Sequence, residues 1–149
     1  AQGVAVMTQL PPIDQTARTR FETELDRNFS IRAAAGSGKT TSIVRRIVSL
    51  ARSPDAAERM RRLVVVTYTK KAANELRQRA RLQLLKDAAD GSAGSLERVN
   101  LVNQAFFGTI HSFCVSLLRR YGIYAGLSAP KMQKGADEDE LWEMFRRSV

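Results

Sequence analysis

The stretch "RAAAGSGKTTSIVRRIV", residues 32–48, constrains the chain more than any other. Small residues run straight into Gly-Lys-Thr-Thr, and an apolar stripe at helical spacing (Ile43, Val44, Ile47, Leu50) begins at once. Backbone N–H groups can converge on phosphate oxygens only where no side chain blocks the approach, which explains Gly36, Ser37 and Gly38. "FSIRAAA" just before, residues 29–35, reads as a short strand. A strand, a small-residue turn and a helix N-terminus in that order cradle a polyphosphate. The spacing is that of G-x-x-x-x-G-K-[ST], with Ala33 at the position of the first glycine. The nucleotide-binding set is therefore Ala33, Ala34, Ala35, Gly36, Ser37, Gly38, Lys39, Thr40 and Thr41. Lys39 supplies a mobile positive charge for the outer phosphates and the Thr40 hydroxyl is placed to hold Mg²⁺, so ATP and Mg²⁺ are the expected cofactors.

The other elements alternate in the same way. Asp14 is a candidate cap for a first helix with Ala17, Phe21 and Leu25 on one face, ended by Asn28. "SPD", residues 53–55, is turn chemistry. "RLVVVTYT", residues 62–69, is the clearest strand, and its β-branched run predicts burial on both faces. "KKAANELRQRARLQLLK" follows as a helix with Ala72, Ala73, Leu76, Ala80 and Leu84 inward and Arg77, Arg79 and Arg81 outside or at the edge. After a break at "DGSAGS", residues 90–95, "AFFGTI" is a third strand. "HSFCVSLLRRYG" is then a helix with Phe113, Leu117, Leu118 and Tyr121 on one side and Cys114 packed nearby. The fold class is α/β with a mainly parallel sheet.

Charge narrows the partner class. Twenty-four basic residues against fifteen acidic give +9, and arginines outnumber lysines 18 to 6. Such a balance suits a polyanion, with a merely solvated basic surface as the plain alternative. No run of about 18 apolar residues occurs, so no membrane span is expected. A single cysteine excludes an internal disulfide and fits a reducing cytoplasm.

Three segments acquire meaning beside the loop: "IDQTAR" (13–18), "VVVTYTKKAANELRQR" (64–79) and "FGTIHSFCVSLLRRYG" (107–122). With "AAAGSGKT" they resemble, in order, the N-terminal part of a UvrD/Rep-type superfamily 1 DNA helicase. "TIHSFC" leans toward the RecB/AddA helicase–nuclease branch. The resemblance implies a RecA-like P-loop core, incomplete in this chain, and a glutamine reading the adenine edge at Gln15. It also implies single-stranded DNA beside the second and third strands, and 3′ to 5′ movement with strand separation. Thr67, Thr69 and Thr109 end predicted strands, where parallel sheets take ligands, and hydroxyls there can hold phosphates without reading bases. Lys70 and Lys71 add charge, and His111 and Ser112 open the following helix. Tyr68 either stacks on a base or fills the core, and its strand position favours the core.

Hydrolysis needs an acidic pair after a buried strand and an arginine for the developing charge. The acidic cluster at 137–140 follows no apolar strand and reads as helix capping. The chain is accordingly expected to be the first part of a larger motor, inactive in hydrolysis alone, with partner subunits or self-association through exposed edges. Residues 1–12 read as an extension, with a native start expected at Met7; 13–122 as the ATP-binding core; 123–149 as the start of a helical insertion. Two other classes stay open: a non-catalytic module binding nucleotide and DNA, and a small-molecule kinase.

Overall fold

In a computed structural model, describing residues 14–89, 94–126 and 146, the chain divides into two units, Ala1–Ile110 and His111–Val149. The extension at 1–12, most of the break at 90–95 and the acidic stretch at 137–140 lie outside the described residues.

The first unit is organised by two amphipathic helices. Helix α2 (Lys39–Arg52) buries Val44, Ile47, Val48 and Ala51, with Ile43 and Leu50 half-buried beside them. Helix α4 (Lys70–Ala89) buries Ala73, Leu76, Ala80 and Leu84, the three- and four-residue spacing that puts side chains on one helix face. These two faces meet, and Met60, Val99, Val102 and Ala105 complete the core. Met60 belongs to α3 (Ala56–Arg62), and Val99 and Val102 to α5 (Ser95–Val102). Neither short helix was expected from the sequence. Each offers only one or two buried aliphatic side chains to a periodicity argument, and each depends on its neighbours for stability.

Strands β1 (Val64–Thr67) and β2 (Phe106–Thr109) form a parallel pair in which Val64 faces Phe106 and Thr67 faces Thr109. The amide of Phe106 also donates to the Leu63 carbonyl at 2.9 Å, which anchors the start of the ladder. Crossing from β1 to β2 through α4 and α5 is the mixed helix–strand arrangement the alternation predicts.

Three expectations are corrected. Residues 29–34 run without regular structure, because the described sheet contains only β1 and β2 and gives them no ladder to join. β1 is not buried on both faces: Val65 packs against the core, whereas Val64 and Val66 are 41% and 43% exposed. A β-branched run reports strand preference, but double burial also needs a covering element on each side. Finally, α1 (Gln15–Thr23) stops five residues before Asn28, with Glu24 donating its amide to the Arg20 carbonyl. Asp14 stands at its N-cap, yet its carboxylate makes no capping bond and pairs with Arg18 instead.

The second unit contains α6 (Ile110–Tyr121), which starts on the last residue of the first unit, and a 3₁₀ turn at Gly122–Ala125. The expected apolar face is there in sequence but no residue of α6 is buried: Phe113 is half-buried, and Leu117, Leu118 and Tyr121 are exposed. Cys114, expected in the packing, is exposed too. An amphipathic face is buried only by a facing element, and periodicity does not supply one.

Candidate nucleotide site

The loop before α2 is shaped by two left-handed glycines, Gly36 (φ 74°) and Gly38 (φ 84°). L-residues with a Cβ adopt that region rarely, so the turn needs glycine at both places. The Ser37 amide closes it on the Ala34 carbonyl at 3.3 Å, and the Ser42 amide takes the Gly38 carbonyl at 3.0 Å as α2 begins. The turn is thus welded to a helix N-terminus, where unpaired amides and the helix dipole favour an anion. Lys39 folds back over it, donating to the carbonyls of Ala33 and, at 2.8 Å, Ala34. Thr40 and Thr41 are exposed on the first turn of α2. The Ser37 hydroxyl oxygen is buried without a hydrogen-bond partner, an orphan group that costs free energy unless something supplies one.

Beside the loop lies an open cleft of about 460 Å³. Its walls are Asp14 at the N-cap of α1, Ala17, Arg18, Arg20 and Phe21 from α1, residues 29–33, Ser37, and Lys39, Ser42 and Ile43 from α2. Phe21, Phe29, Ile31 and Ile43 supply flat or aliphatic surface, while Lys39 and the loop supply cationic and N–H groups. The arrangement can hold a ligand with a planar apolar end and an anionic tail. Gln15 does not line it: its side-chain amide donates to the Thr19 hydroxyl at 3.4 Å, along its own helix.

Two arginines that sequence reading passed over build this site. Arg18 donates to the Ser37 carbonyl at 2.7 Å and, through Nε, to Asp14 at 2.9 Å. Their hydrogen bond lowers the Asp14 pKa and raises that of Arg18. Arg46 donates to the carbonyls of Phe21, Glu24 (3.2 Å), Leu25 (3.1 Å) and Arg27 (3.2 Å). Burial lowers its pKa, and the charge of Arg59 acts in the same direction. The four-residue spacing of Asp14 and Arg18 signals a pair; contacts spanning 19 and 25 residues have no local signature.

The second group of expected residues sits at the C-terminal end of the strands. Thr67 donates its hydroxyl to the Thr69 carbonyl at 2.7 Å, and Thr69 accepts the Ala72 amide at 3.1 Å, capping α4. Lys70 and Lys71 are exposed on the first turn of that helix. Tyr68 corrects the core expectation: it is 104% exposed, held out between the two threonines. Thr109 is half-buried opposite Thr67. In the second unit His111 is exposed and Ser112 half-buried at the start of α6. Among the arginines of α4, Arg79 pairs with Glu75 at 2.5 Å and Arg77 donates to Asn74 at 2.7 Å.

Comparison with known proteins adds an independent line. Residues 14–148 match the UvrD/REP helicase N-terminal domain. The chain is also similar to bacterial proteins named as subunits of an ATP-dependent helicase/nuclease. It is 39% identical over 129 residues to that of Desulforamulus reducens and 35% over 130 residues to that of Natranaerobius thermophilus, covering 85% and 84% of this chain. The similarity to the Geobacillus thermodenitrificans protein is 35% over 125 residues, 83% of this chain. The chain spans about a tenth of the length of these relatives, 10% in each case.

Proposed function

Because the chain belongs to the UvrD/REP helicase N-terminal domain family, we propose that it is the nucleotide-gripping segment of an ATP-dependent DNA translocase, within a RecA-like P-loop core. The observation that carries the reading is the loop: Gly36 and Gly38 both left-handed, with Lys39 folded over the turn at the start of α2. The residues fit Mg-ATP. Lys39 can exchange two carbonyl partners for phosphate oxygens, the Ser37 hydroxyl lacks a partner, and Thr40 is accessible to a cation. Bound Mg-ATP would supply the phosphoanhydride whose hydrolysis drives movement. Ala33 to Thr41 would hold the phosphates by main-chain amides and the Lys39 ammonium, with Thr40 on the metal. Gln15 would have to turn from Thr19 to reach the adenine edge.

Single-stranded or duplex DNA is the proposed polymer, met by Thr67, Tyr68, Thr69, Lys70, Lys71, Thr109, His111 and Ser112. Exposed Tyr68 and the two lysines support this, since an aromatic face and mobile cations grip a strand without reading its sequence. We further propose 3′ to 5′ movement, partner subunits of a helicase–nuclease assembly, a cytoplasmic setting, and binding without turnover by these residues alone. No helix among the described residues is long and apolar enough to cross a membrane. DNA-stimulated ATP hydrolysis by the intact parent protein tests the proposal: stimulation that disappears in Lys39→Ala supports it, and hydrolysis indifferent to DNA contradicts it.

A further inference from the structure

Arg18 is the one side chain of α1 that reaches the phosphate loop by a hydrogen bond among the described contacts. Its guanidinium bridges the loop and Asp14 through two of its three nitrogens. Nη2 donates to the Ser37 carbonyl at 2.7 Å and lies 2.8 Å from Asp14 Oδ2, and Nε donates to Asp14 Oδ1 at 2.9 Å. Nη1 lies 3.0 Å from where a Cβ on Gly38 would stand, so a side chain there would crowd the group. The Arg18 side chain is only 23% exposed.

A trans peptide is planar, and its carbonyl and the following N–H point in opposite directions. No cis bond occurs among the described residues. Whatever holds the Ser37 carbonyl therefore also sets the direction of the Gly38 amide. The other bonds to the loop reach the carbonyls of Ala33, Ala34 and Gly38 and leave the Ser37 carbonyl to Arg18, between two glycines whose backbone is intrinsically permissive. We propose that Arg18 is a positioning residue for the phosphate loop, braced by Asp14, which aims the Gly38 amide before any nucleotide arrives. This rests on reading residues 33–41 as a phosphate loop. It assigns Arg18 a task that acts through the backbone and not on the base.

That distinction makes it testable with a ligand that has no base. Affinities of the intact protein for Mg-ATP and for inorganic tripolyphosphate are measured calorimetrically in the wild type, Arg18→Ala, Arg18→Lys and Lys39→Ala. Losing a charge-assisted hydrogen bond should weaken both ligands in Arg18→Ala by the same factor, about tenfold. Arg18→Lys should recover little, since an ammonium cannot span Asp14 and Ser37 as the planar fork does. Millimolar guanidinium should restore binding to Arg18→Ala in part, which a merely structural lesion would not allow. Faster hydrogen exchange over residues 33–40 in ligand-free Arg18→Ala is the matching readout without nucleotide. α1 buries no residue, so the variants should fold, and matching thermal unfolding checks this. Unchanged tripolyphosphate affinity in Arg18→Ala overturns the inference, as does a loss confined to ATP, which would make Arg18 a base contact. Wild-type affinity in Arg18→Lys also overturns it, because charge alone would then suffice. If Lys39→Ala binds tripolyphosphate as the wild type does, the phosphate-loop reading fails first and the inference falls with it.

Discussion

The guanidinium of Arg46 lies 5.0 Å from the ring centroid of Phe21 and 5.3 Å from that of Phe29. The two rings meet edge to face, 5.5 Å apart at 86°. One side chain of α2 thereby joins the end of α1 and the turn after it, through their carbonyls, to Phe29 in the segment leading into the loop. It braces the two rings, Phe21 and Phe29, that line the cleft.

Arg46→Ala should lower stability by about 2–4 kcal/mol, from the lost charge-assisted bonds and ring contacts together. Arg46→Lys should recover less than half, because an ammonium with three donors cannot reach four carbonyls at once. Thermal or urea unfolding checks both, and an unchanged midpoint in Arg46→Ala would deny Arg46 this joining role.

Core and surface positions on α4 separate sharply. Leu84 is fully buried and Leu82 is 56% exposed on the same helix. Leu84→Ala should cost about 2–5 kcal/mol, the range for a truncated core leucine, and Leu82→Ala close to nothing. Urea titration of the pair measures the difference directly.

The two loop glycines should respond differently to alanine. A Cβ at Gly36 meets no atom within 4 Å, so Gly36→Ala suffers only the strain of a left-handed alanine, about 1–2 kcal/mol. Gly38→Ala adds a tight 3.0 Å contact that pushes on the Arg18 guanidinium and should weaken Mg-ATP binding more than Gly36→Ala does. Equal affinities in the two variants would speak against a braced loop.

Tyr68→Ala removes a side chain that touches almost nothing in its own fold. Stability should be unchanged, while binding of a single-stranded oligonucleotide should weaken about tenfold at fixed salt if the ring stacks on a base. Fluorescence anisotropy reads the second effect and thermal unfolding the first.

How much of this could be read from the sequence depended on whether the information was local. Val44 and Ile47 on α2, and Ala73, Leu76, Ala80 and Leu84 on α4, repeat at helical spacing and are buried as predicted. β1 and β2 were visible as β-branched or aromatic runs. α3 was not: its one large core residue, Met60, stands among charged neighbours whose ion pairs, such as Arg59 with Asp55 and Asp26, lie on the surface. Residues 29–35 have strand-like composition, but pairing is decided by a partner far away in sequence. The same limit applies to the site. Gly36, Gly38 and Lys39 were legible because the turn dictates its residues. Arg18 and Arg46 were not, since nothing near them in the chain announces Ser37 or the end of α1.

All of the functional reading requires that the turn between Ala33 and Thr41 grip a nucleotide by its phosphates. Calorimetric titration of the intact protein with Mg-ATP, wild type against Lys39→Ala, is the sharpest test of that grip. The wild type should bind saturably and the variant should lose at least about tenfold in affinity, the weight of one charge-assisted contact to phosphate. Equal affinity in both proteins, or no heat of binding in the wild type, would refute it.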